Sequence, residues 1–456
     1  MSTETPSGTV VCSGEGRNPV LPEVFSIPDP EAHVVGDGRL FVYGSLDGPE
    51  DTYCSGVYRP VSTRDLRTWT VHDVGFRAEQ APWFGEPLVE AVPYPQKRTP
   101  FMIESARRMG PGMLIRSLWA MAFTRSRERF LYAPDAVAHG GRHYLFFCMT
   151  DGSEGVAVAD VPEGPFRDPV RLPCTGIDPA VFADRDGAVY LYWGQWSAHG
   201  VRLDGDLRSF DQASVSRALL TEEEHGFHEG SSVRRIGDTY YFVFADMHRG
   251  KPTSLGYATS SSPLGPFRYR GIIVDSDGCD PEAWNNHGSI EEVDGRHYVF
   301  YHRSSRGTRY HRRLCIEPIE ILPDGSIPEV PMTSQGVGDP FRPGEALPAR
   351  SACVVGGRAR IDVDEAGLEV LELPRTGDRA VFRYLAQGEF AGLTLDGSGA
   401  GTVRVLVDGR TIGIAAPGDD GVLRLATPFL VDGEGELVIE AVSSRSLRVR
   451  TLTLNG

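Results

Sequence analysis

Residues 176–194 read GIDPAVFADRDGAVYLYWG. An acidic residue, Asp178, opens a short apolar run. Asp186-Gly187 then makes a turn, and an aromatic-rich run returns. Asp-Gly between two alternating apolar runs is a strong hairpin signal. The same unit recurs as GDGRLFVYGS from Gly36, GGRHYLFFCM from Gly140, IGDTYYFVFAD from Ile236 and VDGRHYVFYHR from Val293. A second element follows most copies: STRDLRTW (62–69), VPEGPF (161–166), LDGDLRSF (203–210) and SSPLGPF (261–267). Each reads as a turn into an outer strand anchored by one aromatic residue. Short strands repeating roughly every 50 residues are the mark of propeller blades. Five copies predict an all-β chain with a five-bladed β-propeller over residues 20–340, behind an N-terminal extension at 1–19.

The residues just ahead of the hairpins carry the chemistry. The five inner strands open at Asp29 (IPDPEAH), Asp135 (YAPDAVAH), Asp178 (GIDPAVF), Glu229 (FHEGSSV) and His287 (NNHGSI). Inner strands of a propeller line its central channel, so equivalent strand starts converge on one rim. Any one of these residues alone is best read as a cap or turn residue. Gathered together, like charges repel and burial opposes ionisation, a cost that clusters at functional sites. Trp193, His228 and Trp284 are candidates for an apolar wall of the pocket. For each singly, core packing is an equal reading.

From about Ala346 the style changes. Runs such as LEVLEL, AVFRYL, TVRVLVDG and ELVIEAV alternate apolar and polar residues between Gly/Asp turns. They predict a C-terminal β-sandwich over 346–456. No tryptophan follows Trp284, so the sandwich reads as a structural module and not as a sugar-binding one. Residues 70–131 lack a blade-like hairpin and read as an outer strand with a padded loop. A lid or subunit contact carrying Trp83, Phe84 and Trp119 is the alternative.

Composition limits the partners. The formal charge is −16, which argues against nucleic acid and anionic membranes but does not disfavour a neutral carbohydrate. The seven cysteines form no CxxC pair, so neither a zinc cluster nor a disulfide framework is expected. The first residues are polar, and no apolar run is long enough to span a bilayer. The expectation is a cytoplasmic enzyme acting on imported fragments. An arginine-rich, lysine-poor composition suggests a GC-rich bacterial genome. Homo-oligomerisation is left open, and no organic cofactor is expected.

In the motifs NPVLPEVFSIPDP, YAPD, GIDPAVFADRDGAVYLYWG, FHEG, NNHGSI, YVFYHR and CIEPIEILPDGSI, the chain resembles glycoside hydrolase family 43, the arabinofuranosidase, xylosidase and arabinanase family. The resemblance spans about residues 17–340. It implies a five-bladed propeller and hydrolysis with inversion, most simply as an exo-acting α-L-arabinofuranosidase, with β-xylosidase or galactofuranosidase as alternatives. It implies Asp29 as general base, Glu229 as general acid and Asp178 as the carboxylate that tunes the acid. His287 resembles the histidine near a channel-bound ion, commonly Ca²⁺. Arg303 resembles an arginine that reaches substrate hydroxyls, and Asp135 a residue shaping the substrate site. Glu229-Gly230-Ser231 stands where the family often has EGP. A carboxylate next to the acid is expected to keep it protonated, and Phe227 is expected to make Glu229 the protonated member of the pair. A retaining β-fructosidase-like enzyme lacks its NDPNG-type motif here. A catalytically silent sugar-binding propeller is disfavoured by the complete carboxylate set.

Overall fold

The computed structural model describes residues 8–48, 52–89, 128–418 and 420–456. Trp119 lies outside them. Five antiparallel sheets follow one another along the chain, with inner strands Glu31–Val34, Asp135–His139, Ala180–Ala183, Phe227–Ile236 and Ser289–Val293. The second, third and fourth blades are four-stranded and the fifth three-stranded. The first has five strands, because Val10–Ser13 pairs with Thr68–Val71 on its outer edge. Part of the expected N-terminal extension is therefore a strand of blade one.

Sheets with two apolar faces must bury both, and the core divides accordingly. Phe41 and Phe147 pack between the first and second blades, Phe146 and Leu191 between the second and third, and Tyr192 and Phe242 between the third and fourth. Val243 and Val299 pack between the fourth and fifth, and Val42 and Phe300 close the ring between the fifth and first. Closure is also polar. The Asn18 side chain donates to the Ile316 carbonyl at 3.0 Å and accepts from the Ile316 N–H at 2.9 Å. It thereby stands in for a missing neighbour strand on the last blade. Trp83 is buried against Phe147 and belongs to the core, with Phe84 partly buried against the same cluster.

The C-terminal part is a separate layer with its own core, built on the long paired strands Gly392–Val407 and Gly435–Asn455. It rests on the last two blades: Cys353 and Val381 join their core, and Arg313 pairs with Glu369.

Candidate active site

The inner strands converge as expected, but register decides which side chains reach the rim. A cavity of about 220 Å³ is lined by Asp29, Asp178, Glu229, His228, His287 and Trp284, joined by Tyr53, Tyr132, Gln195 and Asn285. Asp29 and Asp178 each precede a proline with φ of 55° and 54°. This left-handed backbone is costly for a residue with a side chain and collects at functional sites.

Asp29 is held as a carboxylate. Oδ1 accepts from Arg312 Nη1 at 2.8 Å and Oδ2 from Ser45 Oγ at 2.7 Å. Burial pushes its pKa up, but the Arg312 charge, with the Ser45 bond, outweighs it, and the net shift is downward. Arg312 is fully buried and fixed independently, since Nε and Nη2 donate to both oxygens of Asp47 at 3.0 and 2.9 Å. His302 stays neutral: burial and Arg312 bring it down to about 3. Its Nδ1 accepts the Asp29 N–H at 3.2 Å.

The other two carboxylates behave as a pair. Asp178 Oδ2 accepts from the Gly230 N–H at 3.1 Å, and Glu229 Oε2 accepts from Gln195 Nε2 at 2.8 Å. Burial, then repulsion by Glu229 and Asp29, raises the Asp178 carboxyl well above its ordinary range. Phe227, expected as an apolar neighbour of the Glu229 carboxyl, packs instead into the blade core against Phe242 and Phe244. Gly230 has a left-handed φ of 72°, and a Cβ there would lie 3.0 Å from the His287 ring. The glycine after Glu229 is thus needed to seat His287, whose Nδ1 lies 3.8 Å from Asp29 and 3.9 Å from Asp178.

Three expected contributors lie elsewhere. Asp135 sits one layer deeper in the channel, fully buried, with Oδ1 2.6 Å from His33 Nε2 and Oδ2 accepting from the Val181 N–H at 2.7 Å. Ala133, two residues earlier, lines the cavity instead. Trp193 shares a face with Val189 and Leu191 and packs into the core between blades against Phe210. Arg303 follows Val299 and Tyr301 away from the channel, its Nε donating to Cys315 Sγ at 3.0 Å. Side chains alternate along a strand, so His302, one residue earlier, is the one that meets Asp29. Trp284 does line the cavity, but Lys251 Nζ lies 3.0 Å and Arg309 Cζ 3.7 Å from its ring centre. A ring already engaged by cations offers less face to a sugar.

Arg312, Gln195, Tyr53, Tyr132 and Asn285 were not singled out from the sequence. A faint signal existed only for Arg312, a charged residue immediately ahead of the strand RLCIEPI (Arg313–Ile319). The loop residues had none.

Among the described residues, a group able to hold a metal ion is Glu31, His33 and Asp135, whose ligand atoms lie within 4.8 Å of one another. Glu31 Oε2 accepts from Ser232 and Arg234, while the buried Oε1 has no partner among the described residues. Two carboxylates and an imidazole with one oxygen unclaimed fit a partly hydrated divalent cation. His287 is not part of this set. The far mouth of the channel holds a cavity of about 280 Å³ lined by His33, Phe182, Arg234 and Glu291. Its carboxylate, Glu291, is tied to Arg234 at 3.0 Å.

A carboxylate held ionised at Asp29, in one small pocket with Glu229 and with the raised carboxyl of Asp178, meets the demand of acid–base hydrolysis of an acetal. Residues 116–327 match the family model described as Glycosyl hydrolases family 43. The chain is 32% identical over 388 residues to a xylosidase/arabinosidase of Thermoclostridium stercorarium, covering 74% of this chain and 71% of that protein. A family 43 enzyme from Xanthomonas citri, solved with xylotriose, is 26% identical with a TM-score of 0.51, over 68% of this chain and 93% of that one. An arabinoxylan arabinofuranohydrolase structure from Bacillus subtilis, 21% identical with a TM-score of 0.51, covers 96% of this chain and 98% of that one. At that identity it shows the fold alone, through the C-terminal layer as well as the propeller.

Proposed function

The chain belongs to glycoside hydrolase family 43, and from that premise we propose that it removes single terminal pentosyl residues from oligosaccharides with inversion, α-L-arabinofuranosyl first and β-xylosyl as the second reading. The observation that carries this is the rim itself: Asp29, Asp178 and Glu229 facing one cavity of about 220 Å³. That volume lies below the roughly 300–1,000 Å³ of pockets for drug-sized ligands, which favours one ring over a polymer segment. The name of the Thermoclostridium stercorarium relative covers both xylosides and arabinosides, so it supports either sugar.

In this reading, Asp29 takes a proton from water, which attacks the anomeric carbon. The Asp178–Glu229 pair gives its proton, through Glu229, to the departing oxygen. Arg312 keeps Asp29 ionised, and Gln195 orients Glu229. A panel of aryl pentosides with NMR of the first-formed anomer tests the reading. Turnover of a terminal arabinofuranoside or xyloside with inverted product supports it, and a retained product rejects it.

Asp178→Asn is expected to move the basic limb of kcat/KM to lower pH by about one unit or more. The last proton of the pair is held up by mutual repulsion, and removing one charge lets it leave sooner. An unmoved limb means that Asp178 does not tune the acid.

We place a cation at Glu31, His33 and Asp135 rather than at His287. Its chemistry there would be to neutralise two buried carboxylates and brace the inner strands. Saturating Ca²⁺ after chelation is expected to raise Tm by a few degrees, as for any ligand that binds only the folded state. Tm unchanged by chelation and by added Ca²⁺, Mn²⁺ or Zn²⁺ would remove the assignment.

A further inference from the structure

The run EEEH ahead of the acid motif (222–225) forms a single helical turn, Glu222–His225, capped by Thr221 Oγ1, which accepts from the Glu224 N–H at 3.2 Å. Of its three glutamates, Glu223 and Glu224 are exposed and Glu222 is 2% exposed. Burying a carboxylate is costly unless something requires it. Its Oε2 lies 3.1 Å from His228 Nδ1, and His228 is likewise buried. A carboxylate only accepts, so Nδ1 is the donor. The ring's other nitrogen, Nε2, lies 3.7 Å from Glu229 Oε2. The backbone fixes the same arrangement from outside the turn. Trp196 N–H donates to the His228 carbonyl at 2.6 Å, and its own carbonyl accepts the Glu222 N–H at 2.9 Å.

We propose that Glu222 is a positioning residue for the general acid, acting through His228. It holds the imidazole with Nδ1–H toward itself and Nε2 toward Glu229. Gln195 and His228 then both address Oε2 of Glu229, which leaves Oε1 as the oxygen that carries the proton into the cavity. When that proton passes to the leaving oxygen, Glu229 becomes a carboxylate. Gln195, whose Nε2 donates to Oε2 at 2.8 Å, stabilises the new anion while Glu222 keeps His228 in place beside it. Glu222 touches neither substrate nor reacting atoms.

This rests on the reading of Glu229 as acid, and its test separates the two. Glu222→Ala is expected to lower kcat on alkyl glycosides or oligosaccharides by roughly tenfold to a hundredfold, as loss of an orienting partner does elsewhere. Turnover of nitrophenyl glycosides, which need little protonation, should fall less than about threefold. Glu222→Gln, which keeps an acceptor for Nδ1–H but loses the charge, should fall between wild type and Ala. Equal losses on both substrate kinds, or no loss on the poor leaving groups, overturn the role of Glu222. The Glu229→Gln leaving-group test, run alongside, reports separately on the acid itself.

Discussion

Asp29→Asn is expected to lose roughly a thousandfold to ten-thousandfold of kcat, the upper part of what a positioned general base contributes, while the fold survives. The amide is isosteric but cannot take a proton from water. Its oxygen still accepts from Arg312 and its nitrogen can donate to Ser45, so the geometry around position 29 is retained. Arg312 is not orphaned either, because Asp47 holds it through two further bonds. Turnover should therefore fall with Tm and circular dichroism nearly unchanged. Azide should not restore activity through a product of retained configuration, since no glycosyl-enzyme intermediate is waiting to be intercepted. Near wild-type turnover in Asp29→Asn, or azide rescue with retention, would reject Asp29 as the base.

Glu229→Gln should separate substrates by leaving group. For alkyl glycosides and oligosaccharides the departing alkoxide must be protonated as the bond breaks, and removing the donor should cost roughly a hundredfold to ten-thousandfold. For a dinitrophenyl glycoside the departing phenolate is stable by itself, so the loss should be within about tenfold. The pH profile on the poor leaving group should also lose its basic limb, because an amide at position 229 has no titrating proton to offer the cavity. Equal losses on both classes would mean that Glu229 serves binding or structure. The proton would then reach the leaving group from Asp178, whose carboxyl burial and charge repulsion already raise.

Much of this architecture was legible in the chain. The Asp-Gly hairpins, with their alternating aromatic runs, specify antiparallel strands locally, and five copies leave few ways to bury two-faced sheets other than a ring. The Asp-Pro starts at Asp29 and Asp178 and the His-Glu-Gly start at Glu229 place three carboxylates at equivalent points of that ring. These are properties of short segments and their repetition, so a linear reading captures them.

Register and long-range pairing are not. A shift of two residues along an inner strand moves a side chain one layer along the channel, and on that account Asp135 lies with Glu31 and His33 while Ala133 lines the cavity. A shift of one residue turns a side chain to the other face of its sheet. For that reason His302 meets Asp29 and Arg303 faces the sandwich. Arg312 is 283 residues from Asp29, and no local pattern relates them until the last blade closes against the first. What the sequence by itself determined was strands, repeats and the three carboxylates at their heads. Which buried cation holds Asp29 ionised, and which of two acids is pushed up, was decided only by the tertiary structure. Charge effects depend on distance and burial, and both are created when the ring closes.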